Sequence, residues 1–209
     1  MTRLLPILAC LLAGCGATAR PGTDTHAPAP DLDWPVGPFS LIERSGRTVT
    51  DLDLRGSVWV ASFVFTRCTG PCPQVSSTVA RLQAELKDEA GLKFVTFTVD
   101  PTRDDLAALN AYAKSRGADP KRWLFLTGDE ATIHQLMRDQ FKQAIERKTG
   151  ADVQPGDEFG HSTRLLVVDK AGVIRAAFDG LPNDKFPDAN ERFEADLARL
   201  KARVRELAQ

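Results

Sequence analysis

The chain has 209 residues, of which 27 are Lys or Arg and 28 are Asp or Glu, so its formal net charge is −1. This length suits one domain with processing segments, and the charge balance argues against nucleic acid as a partner. A hydrophobic content of 43% is enough to bury a core and excludes a chain that is disordered throughout.

The first residues have the pattern of a processing signal. Arg3 supplies a positive charge, and residues 4–13 form an apolar run that is too short for a membrane span, which needs about twenty residues. The run ends in Leu-Ala-Gly-Cys at residues 12–15, which resembles the lipobox of bacterial lipoproteins. The resemblance implies lipidation of Cys15 and anchoring to the extracytoplasmic, periplasmic face of a bacterial membrane. The alternative is an ordinary secretory signal.

We therefore divide the chain into a signal peptide at residues 1–14, a flexible tether at 15–34 and a folded domain at 35–209. The tether is rich in Pro, Ala and Thr and has little to bury. It contains His26, which we expect to bind no metal in the resting protein.

Processing reduces the number of cysteines. On the lipoprotein interpretation, removal of the signal takes Cys10 and lipidation takes Cys15, which would leave Cys68 and Cys72 as the free thiols. In an oxidising compartment these two can close as a disulfide, and their spacing also suits two metal ligands on one loop.

Hydrophobic periodicity predicts alternating strands and helices in the domain. In chain order, the predicted elements are a hairpin around Ser45-Gly46, a strand at 57–66, a helix from Pro73 to Gly91, a strand at 92–99, a helix at 103–116, a strand at 123–127, a helix at 130–147, a loop at 148–160, a hairpin at 164–178 and a helix at 189–208. The strand at 57–66 is apolar throughout, which is typical of a central strand buried on both faces.

This order predicts an α/β fold. Strands separated by helices need crossover connections, and these give a central sheet that is mostly parallel and flanked by helices. The terminal hairpin and the small N-terminal hairpin make the sheet mixed. The architecture is thioredoxin-like with insertions.

Cys68 and Cys72 lie on the turn between the central strand and the following helix, where open α/β sheets place their ligands. A helix N-terminus favours thiolate over thiol, so both sulfurs are expected to be nucleophiles or soft metal ligands. Thioredoxin-type oxidoreductases have two residues between their cysteines, whereas this chain has three. The longer loop can hold both sulfurs on one soft ion, such as Cu(I), but a third ligand is needed.

His161 is the candidate for this third ligand, since it lies directly before the terminal hairpin, in a loop expected beside the cysteine turn. Thioredoxin-like oxidoreductases carry a cis-proline there, and this chain has no proline between Pro155 and Pro182. The alternative is a surface-loop histidine. His134 falls on a predicted helix and is interpreted as structural or solvent-facing, and Met137 falls on the apolar stripe of that helix and is interpreted as a core residue.

Three segments together resemble the Sco/SenC family of copper proteins, which are linked to assembly of the dinuclear copper centre of cytochrome c oxidase. They are Phe-Thr-Arg-Cys-Thr-Gly-Pro-Cys-Pro at 65–73, Val-Asp-Pro-Thr-Arg-Asp at 99–104 and His-Ser-Thr at 161–163. The resemblance covers about residues 35–205. In this family an aspartate commonly precedes the histidine, where this chain has Gly160, which leaves Asp157 or Glu158 to orient the imidazole.

The resemblance implies one copper ion, Cu(I) or Cu(II), held by Cys68, Cys72 and His161. It also implies that Asp100 and Asp104 are the family's acidic motif. For Asp100 two interpretations stay open: an acid near the copper or a partner-recognition group, and an acid at the start of the helix at 103–116.

The implied function is an extracytoplasmic copper chaperone. Its partner would be the copper-bearing subunit of cytochrome c oxidase or another copper chaperone. The main alternative is a thiol–disulfide reductase, which needs both cysteines as a redox pair but not the histidine, so enzyme activity stays open. A thioredoxin-like peroxidase and a structural zinc site are further alternatives.

Overall fold

The computed structural model describes residues 32–209. The expected signal peptide, Cys15 and His26 lie outside the described residues. Within residues 32–209 no helix is both long and apolar enough to cross a membrane.

Ten strands and four α-helices form the described part of the chain. The strands are β1 (Trp34–Pro35), β2 (Ser40–Glu43), β3 (Thr48–Thr50), β4 (Trp59–Val64), β5 (Lys93–Thr98), β6 (Trp123–Thr127), β7 (Ile145–Arg147), β8 (Phe159–His161), β9 (Arg164–Val168) and β10 (Val173–Asp179). The α-helices are α1 (Cys72–Glu85), α2 (Leu106–Ser115), α3 (Glu130–Gln135) and α4 (Ala189–Ala208). A 3₁₀ helix spans Asp51–Leu54 and a π-helical turn spans Leu136–Gln140.

Eight strands form one sheet in the order β1-β10-β9-β4-β5-β6-β2-β3. Neighbouring strands are parallel within β4-β5-β6 and antiparallel elsewhere. The predicted mixed sheet of a thioredoxin-like α/β fold is confirmed. Its parallel part is limited to the three central strands, because hairpins supply strands at both flanks and hairpins pair antiparallel.

Helices cover this sheet: α1 packs against β4, α2 against β6, and α4 against β9 and β10. At the other end of the chain, Trp34 pairs with Ile174, and the Leu32 N–H donates to the Arg175 carbonyl. Pairing with the sheet therefore begins before residue 35, where the sequence predicts the domain to start.

The helix predicted over 130–147 is wrong in its second half. Helix α3 ends at Gln135, the π-helical turn follows, and Lys142 has a φ of 53°, in the left-handed region that ends a helical run. The chain then forms β7, which pairs with β8 in a separate two-stranded sheet. The apolar spacing that predicted a helix is real, since Met137 and Phe141 are fully buried, but the turn and not an α-helix buries them.

Phe97 is the centre of the aromatic core. Its ring lies 4.9 Å from Phe141, 5.7 Å from Phe63, 6.0 Å from Phe39 and 6.4 Å from Trp59, measured between ring centroids. These rings come from strands, a loop and the π-helical region, so one side chain joins the parallel centre of the sheet to the segment that precedes β7.

We predict that Phe97→Ala lowers the free energy of unfolding by about 3–5 kcal/mol, because it leaves a cavity among four rings. Chemical denaturation checks the value. Leu52→Ala is the matched control, since Leu52 is 72% exposed, and it should change stability by less than about 0.5 kcal/mol. Equal effects of the two substitutions would contradict this description of the core.

Candidate metal centre

The cysteine loop leaves the carboxyl end of β4 and enters α1. Cys72 is the first residue of α1 and is fully buried, whereas Cys68 is partly exposed on the preceding loop. Both are free thiols in the structure. The predicted position on a strand-to-helix turn is therefore where the structure places them.

Asp104 fixes the point at which this loop begins. Its carboxylate accepts the Thr66 N–H at 3.0 Å, the Thr66 hydroxyl at 2.6 Å and the Thr98 hydroxyl at 2.5 Å. The side chain is fully buried, and this burial raises the pKa of Asp104 against the lowering effect of these hydrogen bonds. Asp104 thus ties the ends of β4 and β5 together beside the cysteines.

Asp100 is also fully buried, and its carboxylate bonds to the residues that directly follow it. It accepts the Thr102 hydroxyl at 2.9 Å and the Arg103 Nε–H at 2.5 Å. It does not cap α2, because that helix begins at Leu106 and Asp105 is its N-cap. The predicted helix start at 103 is therefore three residues too early, and Asp100 instead holds Arg103.

His161 lies at the end of β8, with its imidazole directed at the cysteine loop. The Nδ1 atom lies 2.9 Å from the Ser162 carbonyl oxygen and Nε2 lies 3.4 Å from the Cys72 sulfur. Because a carbonyl can only accept, Nδ1 carries the proton and the Nε2 lone pair faces the sulfur. Burial lowers the pKa of His161, which keeps the ring neutral. A neutral imidazole held by a carbonyl at its other nitrogen is typical of a metal-binding histidine.

The sequence offers Asp157 and Glu158 as groups that could orient His161. Their carboxylates bond elsewhere: Asp157 to Lys148 at 2.5 Å and Glu158 to Arg103 at 2.6 Å. The orienting group is the backbone carbonyl of the residue after the histidine, a contact that side-chain identities do not reveal.

The two thiols differ, although the helix position alone predicts that both are activated. A hydrogen bond from the Cys72 thiol lowers the pKa of Cys68 to about 6. The same hydrogen bond raises the pKa of Cys72, and its burial raises it further. At neutral pH Cys68 is therefore the thiolate and Cys72 keeps its proton, which a metal ion must displace to bind that sulfur.

A close approach between Gly156 and the cysteine loop was not evident from the sequence. The Thr69 N–H donates to the Gly156 carbonyl at 3.1 Å. Gly156 has a φ of 91°, and a Cβ there would lie 2.7 Å from the Arg67 carbonyl oxygen, so only glycine fits. The available sequence signal was a glycine within a polar loop. This contact brings the loop before β8 onto the residues between the two cysteines.

Within the described residues, no three His, Cys, Asp or Glu side chains already have the spacing of a metal site. Cys72 touches His161, while Cys68 lies on the more exposed part of the loop.

His134 and Met137 stay outside this group. A ring nitrogen of His134 lies 2.8 Å from the Val99 carbonyl oxygen, and Met137 is fully buried in the core. Both side chains have the structural roles that the sequence predicts.

Fold and site together define a thioredoxin-like domain that presents two free thiols and a neutral histidine beside the end of its central strand. The model of the SCO1/SenC family matches residues 30–189, and the chain belongs to this family.

Relatives and solved structures agree with this assignment. The SCO1 protein homolog of Bacillus subtilis is 28% identical over 159 residues, which cover 75% of this chain and 80% of the relative. A SCO1/SenC family lipoprotein from Bacillus anthracis superposes with a TM-score of 0.73 at 26% identity, covering 86% of this chain and 98% of that one.

Two further solved structures of Sco proteins are similar to this chain. BsSco is a member of the Sco family of cytochrome c oxidase assembly proteins and has a disulfide switch. It has a TM-score of 0.69 at 25% identity, and the match covers 86% of this chain and 96% of BsSco. Copper-bound ScoI of Bradyrhizobium japonicum has a TM-score of 0.58 at 26% identity, and the match covers 80% of this chain and 98% of ScoI.

We predict that Cys68 reacts with iodoacetamide as a thiolate whose population is half-maximal near pH 6, because its pKa is lowered to about 6. Its rate should rise between pH 5 and 7 and then level off, while Cys72 stays slow because its pKa is raised. Peptide-resolved mass spectrometry of the reduced protein separates the two sites. A Cys68 rate that keeps rising through pH 8–9, as for an ordinary thiol, would contradict the assignment.

Proposed function

We propose that this protein binds one copper ion through the sulfurs of Cys68 and Cys72 and Nε2 of His161, as a copper chaperone in the assembly of a respiratory oxidase. The observation that carries the proposal is the 3.4 Å contact between Nε2 and the Cys72 sulfur, with Nδ1 held by a carbonyl. Two thiolate sulfurs are soft donors, and a neutral imidazole is a common copper ligand, so the three groups together suit copper. The copper-bound ScoI structure, at 26% identity, supports copper as the metal.

Copper is the cargo in this proposal, and the protein's own groups control its loading. Both sulfurs bind as thiolates, so loading releases the Cys72 proton. Exchange with an external disulfide, which accepts the two electrons and two protons, would close Cys68 and Cys72 as a disulfide and remove both sulfur ligands, so that the redox state decides whether the metal can bind. Release to an acceptor then proceeds by ligand exchange.

The proposed acceptor is the copper-bearing subunit of cytochrome c oxidase or another copper chaperone. The description of BsSco as a family member in cytochrome c oxidase assembly supports this choice. We propose an extracytoplasmic location with a lipid anchor at Cys15. The lipobox-like sequence at residues 12–15 and the related Bacillus anthracis lipoprotein support the anchor.

Replacing His161 with alanine should lower copper affinity by more than the roughly 10–100-fold that loss of an outer hydrogen-bond partner causes, because a direct ligand is removed. Titration of the reduced protein with Cu(II), followed by absorption and electron paramagnetic resonance spectroscopy, measures the change.

His134→Gln is the control for this titration, since His134 contacts a backbone carbonyl and not a sulfur. It should bind copper like the wild type. Wild-type affinity and an unchanged spectrum for His161→Ala would show that the ligand assignment is wrong.

A second candidate function is thiol–disulfide reduction, which the lowered pKa of the partly exposed Cys68 favours. The Cys68 thiolate attacks an acceptor disulfide, forms a mixed disulfide and releases one acceptor thiolate. The acceptor thiolate released in this first step takes up the Cys72 proton, and the Cys72 thiolate then attacks the Cys68 sulfur and releases the second acceptor thiolate. Two electrons pass to the acceptor, and the resulting Cys68–Cys72 disulfide needs an external dithiol to be reduced again.

We expect His161→Ala to keep the reductase rate of the wild type, because neither sulfur transfer uses the imidazole, while Cys68→Ser abolishes it. An assay with a disulfide-bonded peptide and an external dithiol measures both. Retained reductase activity together with lost copper binding would separate the two functions. If His161→Ala loses both, the imidazole also takes part in the sulfur chemistry and this mechanism is wrong.

A further inference from the structure

The hairpin formed by β7 and β8, residues 145–161, carries His161 but is not part of the eight-stranded sheet. Within residues 32–209, its two strands pair only with each other. The sheet's hydrogen-bond register therefore reaches His161 only through the short link at residues 162–163 to β9. The position of His161 relative to the cysteines also depends on the contacts that hold this hairpin to the rest of the domain.

One chain of contacts joins the hairpin both to the sheet and to the cysteine loop. Arg103 donates from Nε to Asp100 at 2.5 Å and from Nη1 to Glu158 at 2.6 Å. The other oxygen of Glu158 accepts the Gly156 N–H at 2.9 Å. The Gly156 carbonyl in turn accepts the Thr69 N–H at 3.1 Å, between the two cysteines.

The three charged groups that are joined by these contacts differ in their exposure to solvent. The side chain of Asp100 is 0% exposed, that of Glu158 is 16% exposed and that of Arg103 is 29% exposed. Salt screens the pair between Arg103 and buried Asp100 less than a surface pair, whereas the pair with Glu158 lies nearer the solvent. One guanidinium thus bridges a buried carboxylate at the end of β5 and a carboxylate on the hairpin.

Other contacts hold the hairpin elsewhere. Phe159 packs on Phe65 with ring centroids 5.6 Å apart, and Arg147 bonds to Glu130 of α3 at 2.7 Å. These contacts reach β4 and α3, whereas the bridge through Arg103 and Glu158 also reaches the residues between the cysteines.

We propose that Arg103 and Glu158 are positioning residues, which latch the hairpin onto the cysteine loop and so keep Nε2 of His161 beside the Cys72 sulfur. They would set the copper affinity of the site without touching the metal. The copper part of this inference rests on the proposed function, whereas the latch itself is a property of the metal-free protein.

The test uses the full-length, reduced protein in two measurements. Hydrogen–deuterium exchange of peptides from residues 144–162 reports hairpin opening without metal, and a Cu(II) titration with its absorption spectrum reports the site. The variants are Glu158→Ala, Arg103→Gln, Arg103→Lys and the double variant Arg103→Gln/Glu158→Ala. Arg164→Gln is the matched control, since Arg164 pairs with Asp179 at 3.8 Å on the surface, just after the same hairpin.

Glu158→Ala and Arg103→Gln should each exchange faster in the hairpin, bind copper about 10–100-fold more weakly and alter the Cu(II) spectrum. The double variant should lose no more than the larger single loss, because both substitutions break one bridge. Arg103→Lys should recover part of the affinity, since an ammonium group keeps the charge but not the two-sided geometry. Arg164→Gln should match the wild type in all respects.

Wild-type exchange and wild-type copper affinity in Glu158→Ala would overturn the latch. That variant leaves Arg103 paired with buried Asp100, so it decides the question even if Arg103→Gln does not fold. If the wild-type protein binds no copper, the proposed function fails, and the exchange rates alone decide whether the latch exists.

Discussion

The arrangement of the site depends on the hydrogen bonds that the buried carboxylate of Asp104 accepts. This carboxylate joins Thr66, at the exit from β4, to Thr98, at the end of β5, so the two loops that leave these strands start from a common anchor. One loop carries both cysteines and the other carries Asp100 and Arg103. A charged group without solvent contact is stable only when it is fully hydrogen-bonded, and for this reason the anchor cannot shift without cost.

The two sulfurs and the imidazole that lie beside this anchor differ in their protonation. The two sulfurs share one proton, so that Cys68 is activated while Cys72 remains protonated. The imidazole of His161 is kept neutral by burial and is oriented by a backbone carbonyl. This asymmetry suits both a metal site that loads with loss of a proton and a thiol pair in which one sulfur attacks and the other resolves.

Much of the fold could be predicted from residue patterns, because they act locally. The apolar run of β4, the stripe on α1 and the terminal hairpin of β9 and β10 are found where periodicity places them. The segment after α3 could not be predicted in this way. Met137 and Phe141 have the spacing of a helix face, but the aromatic core around Phe97 accepts Phe141 from a π-helical turn. Tertiary packing outweighs local preference there.

By itself, the sequence determined which reactive side chains this protein has and where they lie along the chain. They are two thiols on a strand-to-helix turn, a histidine far along the chain that could be a third ligand, and an acidic motif between them. Side-chain identity and local spacing are sufficient for that. Only the tertiary structure decided which groups touch: Asp104 bonds to Thr66 at the start of the loop, Asp100 accepts from Arg103, and a carbonyl orients His161. These pairings join residues from separate strands and loops, and their distances exist only once the sheet and the hairpin have packed together.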